Sequence, residues 1–157
     1  MHFKEISFEE IMENIRHIEK ELKSFKADLI LSLGNGGLVP AAILSHILRT
    51  RLDMICIQYY EDGMKPEKKY SEPTLITPFV LDIKGKKIIL VDDFQHSGAS
   101  MEKAIQILKD NGATNIKSIV IAGNAGALIQ SEGCVKFPWN TARRLSKGEG
   151  NEVCLSL

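Results

Sequence analysis

Apolar positions along the chain follow two spacings that take turns. Ser7-Phe8-Glu9-Glu10 reads as a capping box, and Ile11, Ile15, Ile18, Leu22 and Phe25 recur at helical spacing, which predicts an amphipathic helix to about Phe25. Residues 28–33, DLILSL, form a short strand pattern that Gly34-Asn35-Gly36-Gly37 breaks at once. Leu38 to about Thr50 returns to helical spacing through Ile43, Leu44, Ile47 and Leu48, with Pro40 where a first turn tolerates it. MICIQYY, residues 54–60, predicts a strand, and the charged, aperiodic stretch 61–72 predicts a mobile loop. Thr74 to Leu81 reads as the returning arm of a β-hairpin. Ile88 to Val91 is a continuous apolar run suited to a strand covered on both faces, ended by Asp92 and Asp93. A helix follows with Met101, Ala104, Ile105 and Leu108 on one stripe and a C-cap at Asn111-Gly112. Ile116 to Ala122 is a further buried-type strand, closed by Gly123-Asn124-Ala125-Gly126. This alternation of strand, loop and helix predicts an α/β fold: a parallel twisted sheet flanked by helices, with ligand loops at the strand C-terminal ends.

Composition narrows the function classes. The 157 residues fit one domain, 1–157, able to bury a core. Twenty basic residues balance twenty acidic ones, so no bulk field draws the chain to nucleic acid or to an anionic membrane, and any anionic ligand needs local devices. The start, MHFKEISFEE, lacks a basic-then-apolar signal pattern and no apolar run approaches membrane-spanning length; a cytoplasmic protein is expected. Cys56, Cys134 and Cys154 are odd in number and widely spaced, which fits neither a disulfide framework nor a structural metal site, and Cys56 is expected in the core.

The stretch Lys87 to Met101, KIILVDDFQHSGASM, carries the chemistry. Ser97-Gly98-Ala99-Ser100 opens a helix and offers free backbone N–H groups, hydroxyls and the positive end of the macrodipole, so it can hold a phosphate without a lysine. Asp92 and Asp93, just before it, can accept hydrogen bonds from sugar hydroxyls and approach Mg2+ directly or through water. A ribose 5-phosphate satisfies both halves.

Ile88 to Val91, Asp92-Asp93, Ser97-Gly98 and Ser100 resemble the phosphoribosyl pyrophosphate (PRPP) motif of type I phosphoribosyltransferases, nearest to the purine (xanthine-guanine and hypoxanthine-guanine) enzymes. The resemblance covers roughly residues 28–140. It implies a core over about 28–123, a catalytic lid over about 61–72 that begins near Tyr59-Tyr60, and a small hood over about 134–157. It also implies that Asp92, Asp93, Gln95, His96, Ser97, Gly98, Ala99 and Ser100 hold ribose and 5-phosphate, with Mg2+ near the two acids. GNGGLVPA resembles the pyrophosphate loop, giving Gly34, Asn35, Gly36 and Gly37 that role, and Lys65, Lys68 and Lys69 of the lid could neutralise pyrophosphate. VKFPWN, residues 135–140, resembles the hood of purine enzymes; Phe137 and Trp139 either stack on the base or pack the hood onto the body. Small members of the family are usually homodimers, and the basic tail with Arg143, Arg144 and Lys147 is a candidate subunit contact.

The implied reaction is displacement of pyrophosphate from C1 of PRPP by a ring nitrogen of a nucleobase. Asp93 and His96 are the candidate catalytic residues, His96 because an imidazole can take or give a proton near neutral pH. Three departures from the family pattern stand out: Asn35 replaces a basic residue, His96 an acid, and no Lys occurs between Lys117 and Lys136, where purine enzymes bind the base oxygen. They keep open a second expectation, a PRPP- or nucleotide-binding regulatory module. A phosphorelay receiver, a third class, shares the acidic pair without the Ser-Gly-x-Ser continuation.

Overall fold

The computed structural model describes residues 4–59, 68–124, 126–131, 133 and 135–140. In chain order the elements are β1 (Lys4–Glu5), α1 (Phe8–Phe25), β2 (Leu29–Leu33), α2 (Leu38–Leu48), β3 (Leu52–Ile55), β4 (Ile57–Gln58), β5 (Thr74–Leu75), β6 (Lys87–Gln95), α3 (Ala99–Asp110), β7 (Asn115–Gly123), β8 (Ile129–Gln130) and β9 (Val135–Lys136). The central sheet runs β3-β2-β6-β7-β8 with every pair parallel. β2 up to Ser32 and β6 from Ile88 to Val91 are apolar at every position, and the two strands occupy the middle of the sheet because both their faces are covered.

Two cores lie on opposite faces of the sheet. Ile30, Ile89, Val91, Ile119 and Ile121 pack with Ile11 and Ile15 of α1 and Ala41 and Leu44 of α2. Leu31, Ile88, Leu90 and Val120 pack with Met101, Ala104 and Leu108 of α3. From β2 the chain moves outward through α2 to β3, while from β6 it moves the other way through α3 to β7. The strand order therefore reverses between β2 and β6, and in open parallel sheets such a reversal opens a crevice beyond the strand C-termini.

The helices follow the sequence. Ser7 Oγ accepts from Glu10 N at 3.1 Å to start α1, and Asn111 with Gly112 at φ +87° closes α3. Three expectations need correction. The strand predicted over 54–60 is broken at Cys56, where the chain leaves its parallel pairing with β2 and pairs antiparallel with β5. Cys56 is consequently half-buried rather than in the core, and the hairpin arm predicted over 74–81 is only the two residues of β5. Asp92 and Asp93 do not end their strand: β6 continues to Gln95, because β7 remains beside it as far as Gly123.

The predicted lid falls partly outside the described residues, which exclude Tyr60 and Lys65. Lys68 lies over the Tyr59 ring, Nζ to centroid 4.9 Å, and Lys69 Nζ donates to Gln58 Oε1 at 3.3 Å. Of the hood, Cys134 and residues 141–157, including Arg143, Arg144, Lys147 and Cys154, lie outside the described residues. The described part is anchored by β1, which pairs parallel with β9 and is extended by Ile6 N donating to Lys136 O at 3.1 Å. No helix among the described residues is long and apolar enough to cross a membrane.

Candidate functional site

The site is assembled at the C-terminal ends of β2 and β6, which lie side by side with Ser32 opposite Val91. The two loops that follow must therefore emerge together. After β2, Ser32 Oγ donates to Gly34 O at 2.6 Å and fixes the first turn, where Gly34 adopts φ +59°. The loop then crosses so close to β6 that a Cβ at Gly37 would lie 2.2 Å from Val91 O and 3.1 Å from Leu33 N. Only glycine allows this approach. It sets the start of α2 against the residue preceding Asp92.

Neither adjoining helix start is closed by a side-chain cap on its own N-cap residue. Gly37 heads α2 and Gly98, at φ +79°, heads α3. Ser97 Oγ does accept from Ala99 N at a long 3.4 Å. Two helix N-termini thus start beyond the C-terminal ends of adjacent strands, an arrangement that favours an anionic ligand, although at α2 the Gly37 and Leu38 N–H groups already donate to Leu33 O and Asn35 O. Gln95 flanks Gly98, where a Cβ would lie 2.8 Å from its Nε2, and the exposed His96 completes the turn. Asn35 is exposed and Gly36 buried on the other loop.

Asp92 and Asp93 stand between the loops. Because β6 continues through them, strand alternation sends them to opposite faces, Asp92 with Leu90 toward the α3 side and Asp93 with Val91 toward the α1 and α2 side. They are therefore not a side-by-side pair on one face. Asp92 Oδ1 accepts from Asp93 N at 2.9 Å. Burial, reinforced by the neighbouring Asp93 carboxylate, holds the Asp92 carboxyl well above the usual carboxylate range. Asp93 is only 3% exposed, and burial raises it to about 6, opposed by the Trp139 indole N–H, which donates to Asp93 Oδ2 at 3.2 Å.

The two hood aromatics differ in what they can offer. Phe137 is 3% exposed and lies in the α1/α2 core, so its ring packs the hood onto the body and is closed to a base. Trp139 stacks on it at 4.7 Å and 4°, with Phe8 tilted against it at 6.0 Å and 60°. The next residue, Asn140, has a buried Oδ1 without a hydrogen-bond partner.

Some participants were not singled out from the sequence. Asn124 Nδ2 donates to His96 O at 2.8 Å and Asn124 N donates to Gln95 O at 3.4 Å, tying the end of β7 to the turn before α3. Gly123, at φ +146°, allows this, since a Cβ there would lie 2.3 Å from Gln95 O. The only hint was a Gly-Asn at the end of an apolar run; Ser32, one hydroxyl in such a run, gave none.

No group of three or more His, Cys, Asp or Glu side chains suited to a metal occurs among the described residues. Pointing to opposite faces, the two acids do not share one ion, but a single carboxylate suffices for Mg2+ when ligand phosphates and waters supply the other oxygens.

A family model described as a phosphoribosyl transferase domain matches residues 3–142. The hypoxanthine-guanine phosphoribosyltransferase of Saccharomyces cerevisiae is 28% identical over 128 residues, 72% of this chain and 58% of the yeast protein. The orotate phosphoribosyltransferase of Sulfurisphaera tokodaii is 28% identical over 101 residues, 64% and 46% of the two chains. The transcriptional regulator GfcR of Methanococcoides burtonii is 30% identical over 101 residues, 64% and 47%. The chain thus spans about half the length of these relatives. Among solved structures, the purine phosphoribosyltransferase from Pyrococcus horikoshii superposes with a TM-score of 0.73 at 27% identity, covering 88% of this chain and 95% of that one.

Proposed function

Since the chain belongs to the phosphoribosyl transferase domain family, we propose that it transfers the 5-phosphoribosyl group of PRPP to a nucleobase, a purine in the first instance, and releases pyrophosphate. The observation that carries this reading is that two glycine-headed helices start after adjacent strands, beside Asp92 and the buried Asp93, at the reversal of strand order. The whole chain, 1–157, acts as one domain under this proposal, in the cytoplasm and as a homodimer.

Each residue then has a task. The backbone and hydroxyls of Ser97, Gly98, Ala99 and Ser100 hold the 5-phosphate, and the loop of Gly34 to Gly37 holds pyrophosphate through the amides of Asn35 and Gly36, since Gly34 N donates to Ile55 O at 2.9 Å and Gly37 N to Leu33 O at 3.4 Å. Asp93 and Asp92 receive the ribose hydroxyls, and one of the two, since they point to opposite faces, would hold Mg2+, which would supply charge neutralisation for the leaving group when bound. The C1–O bond to pyrophosphate breaks, a C1–N bond to the base forms, and positive character gathers on the ribose ring between. Fixing both ends of the sugar lowers the cost of reaching that arrangement. His96 takes the proton the base gives up, and Asn124 holds the His96 backbone in place. The purine assignment is supported by the yeast and Pyrococcus relatives. The orotate enzyme and the missing lysine keep other bases in the test.

The similarity to a transcriptional regulator, together with Asn35 and His96 in place of charged residues, favours a second reading: a module that binds PRPP or a nucleotide without turnover. One assay separates the two. With PRPP and Mg2+, the enzyme reading expects pyrophosphate release with at least one of guanine, hypoxanthine, xanthine, adenine, uracil or orotate. No turnover across the panel, with a melting temperature still raised by PRPP or a nucleotide, establishes the module instead.

A further inference from the structure

Among the described residues, the hood reaches Asp93 through one side-chain hydrogen bond. Asp93 is almost wholly buried, and Trp139 Nε1 is its only side-chain hydrogen-bond partner among the described residues. Trp139 is also the single tryptophan of the chain. One face of its ring is taken up by the near-parallel Phe137, and Phe8, 47% exposed at the start of α1, leans against it. Phe137 is locked in the core, and its strand β9 is held in register by β1, Lys4 opposite Val135 and Glu5 opposite Lys136. Lys136 Nζ donates to Glu5 Oε1 at 2.7 Å, adding to the same clamp. The indole is therefore positioned from both chain directions, and what it presents to the site is its N–H.

The geometry points to Trp139 as a positioning residue for sugar recognition: its indole N–H holds Asp93 Oδ2 so that the other carboxylate oxygen is aimed at a ribose hydroxyl, making the hood part of the ribose site. This rests on the ribose-phosphate reading proposed above and adds the element that sets selectivity for a hydroxylated sugar. The Phe94 and Asp93 backbone N–H groups also act on this carboxylate, and the indole adds the side-chain donor at Oδ2 that limits rotation about its last torsion, which is otherwise broad. With the indole in place that rotation is stopped, and a sugar hydroxyl finds its acceptor pre-oriented. The working part of Trp139 is then the polar edge, and loss of the N–H alone should be felt even when the ring is kept.

The test compares ribose 5-phosphate with tetrahydrofurfuryl phosphate, which has the same ring and phosphate without hydroxyls, on the full chain. The wild type should favour the ribose compound by about tenfold, the scale of one hydrogen bond to a charged group. Trp139→Phe keeps the stack on Phe137 and should reduce that preference to about twofold while leaving tetrahydrofurfuryl phosphate affinity unchanged. Equal losses for both ligands would mean that the ring only packs the hood, and the proposal falls. A second measurement needs no variant. With one tryptophan, a 15N-labelled sample gives a single indole N–H resonance, which ribose 5-phosphate should shift and tetrahydrofurfuryl phosphate should not. If ribose 5-phosphate binds and shifts amides at the start of α3 but leaves the indole unmoved, this proposal alone fails. If neither phosphate binds, the ribose-phosphate reading fails and this one with it.

Discussion

Replacing Asp93 by Asn should make the protein more stable at neutral pH while weakening its ligand binding. Burial lifts the Asp93 carboxyl from its ordinary 3.8 to about 6, with the Trp139 N–H pulling in the opposite direction. A carboxyl whose folded value lies above its unfolded value favours the native state when protonated. Its contribution is complete below about 3.8 and is lost as pH rises through about 6. At about 1.4 kcal/mol per pH unit, that gap corresponds to about 3 kcal/mol, the cost of keeping this side chain ionised inside the fold at pH 7.5. Asn keeps the shape and an oxygen to accept from the indole, but adds an amide that needs its own acceptor, so about 1–2 kcal/mol of gain should remain. Asp92 is relieved as well, since the Asp93 charge is one of the causes that raise it. For a chain of this size the gain amounts to about 2–4 °C in melting temperature per kcal/mol. Urea and thermal unfolding of both proteins from pH 4 to 8, in metal-free buffer, measure it. The advantage of Asp93→Asn should be largest above pH 7, vanish near about pH 5 and become a deficit of about 1 kcal/mol near pH 4, where only the cost of the unpaired amide is left, and ribose 5-phosphate affinity at pH 7.5 should fall. A variant no more stable at pH 7.5, or an advantage independent of pH, would refute the reasoning.

Gly37→Ala places a methyl 2.2 Å from Val91 O, a backbone atom that cannot move aside, so a loss of about 2 kcal/mol or more is expected in urea titrations together with weakened pyrophosphate binding; a neutral variant would show that the loop can shift without cost. Phe137→Ala removes the ring that joins hood to core and should cost about 3 kcal/mol, with the emission of the single tryptophan moving to the red; a loss under about 1 kcal/mol would mean that the hood is held without it. Ser97→Ala combined with Ser100→Ala should leave stability within about 0.5 kcal/mol and weaken ribose 5-phosphate by about tenfold in calorimetry; unchanged affinity would remove the hydroxyls from the phosphate site.

What the sequence disclosed and what it withheld divide along a physical line. Elements set by local chemistry were legible: the Ser7 cap with its Ile11-Ile15-Leu22 stripe, the apolar runs of β2 and β6, and the glycine breaks before α2 and α3 all follow from residues within one or two turns of each other. Features decided by a distant partner were not. Cys56 sits in an unbroken apolar run, yet the chain changes pairing there because β5, some twenty residues later, offers an antiparallel edge. Asp92 and Asp93 look like a strand end on polarity alone, but β7 carries the ladder past them, and that extension is what sends the two acids to opposite faces.

The same line runs through the site. The two glycine-containing turns proposed to face phosphate are made of residues that the motif contains, so spacing was enough to place them at the strand ends. The environment of Asp93 is made elsewhere, by an indole 46 residues away whose placement depends on Phe137 and on the two-residue pairing of β1 with β9. Neither short strand has a sequence pattern of its own; each forms because the other is present. The hood aromatics stayed ambiguous between base stacking and packing because both uses require the same residue types. Which part of each ring meets which neighbour separates them: Phe137 spends its ring on the core, and Trp139 turns its N–H to the acid. The sequence thus shows where the two helix-opening turns lie, while the surroundings of the buried acid beside them arise from contacts between the two ends of the described chain.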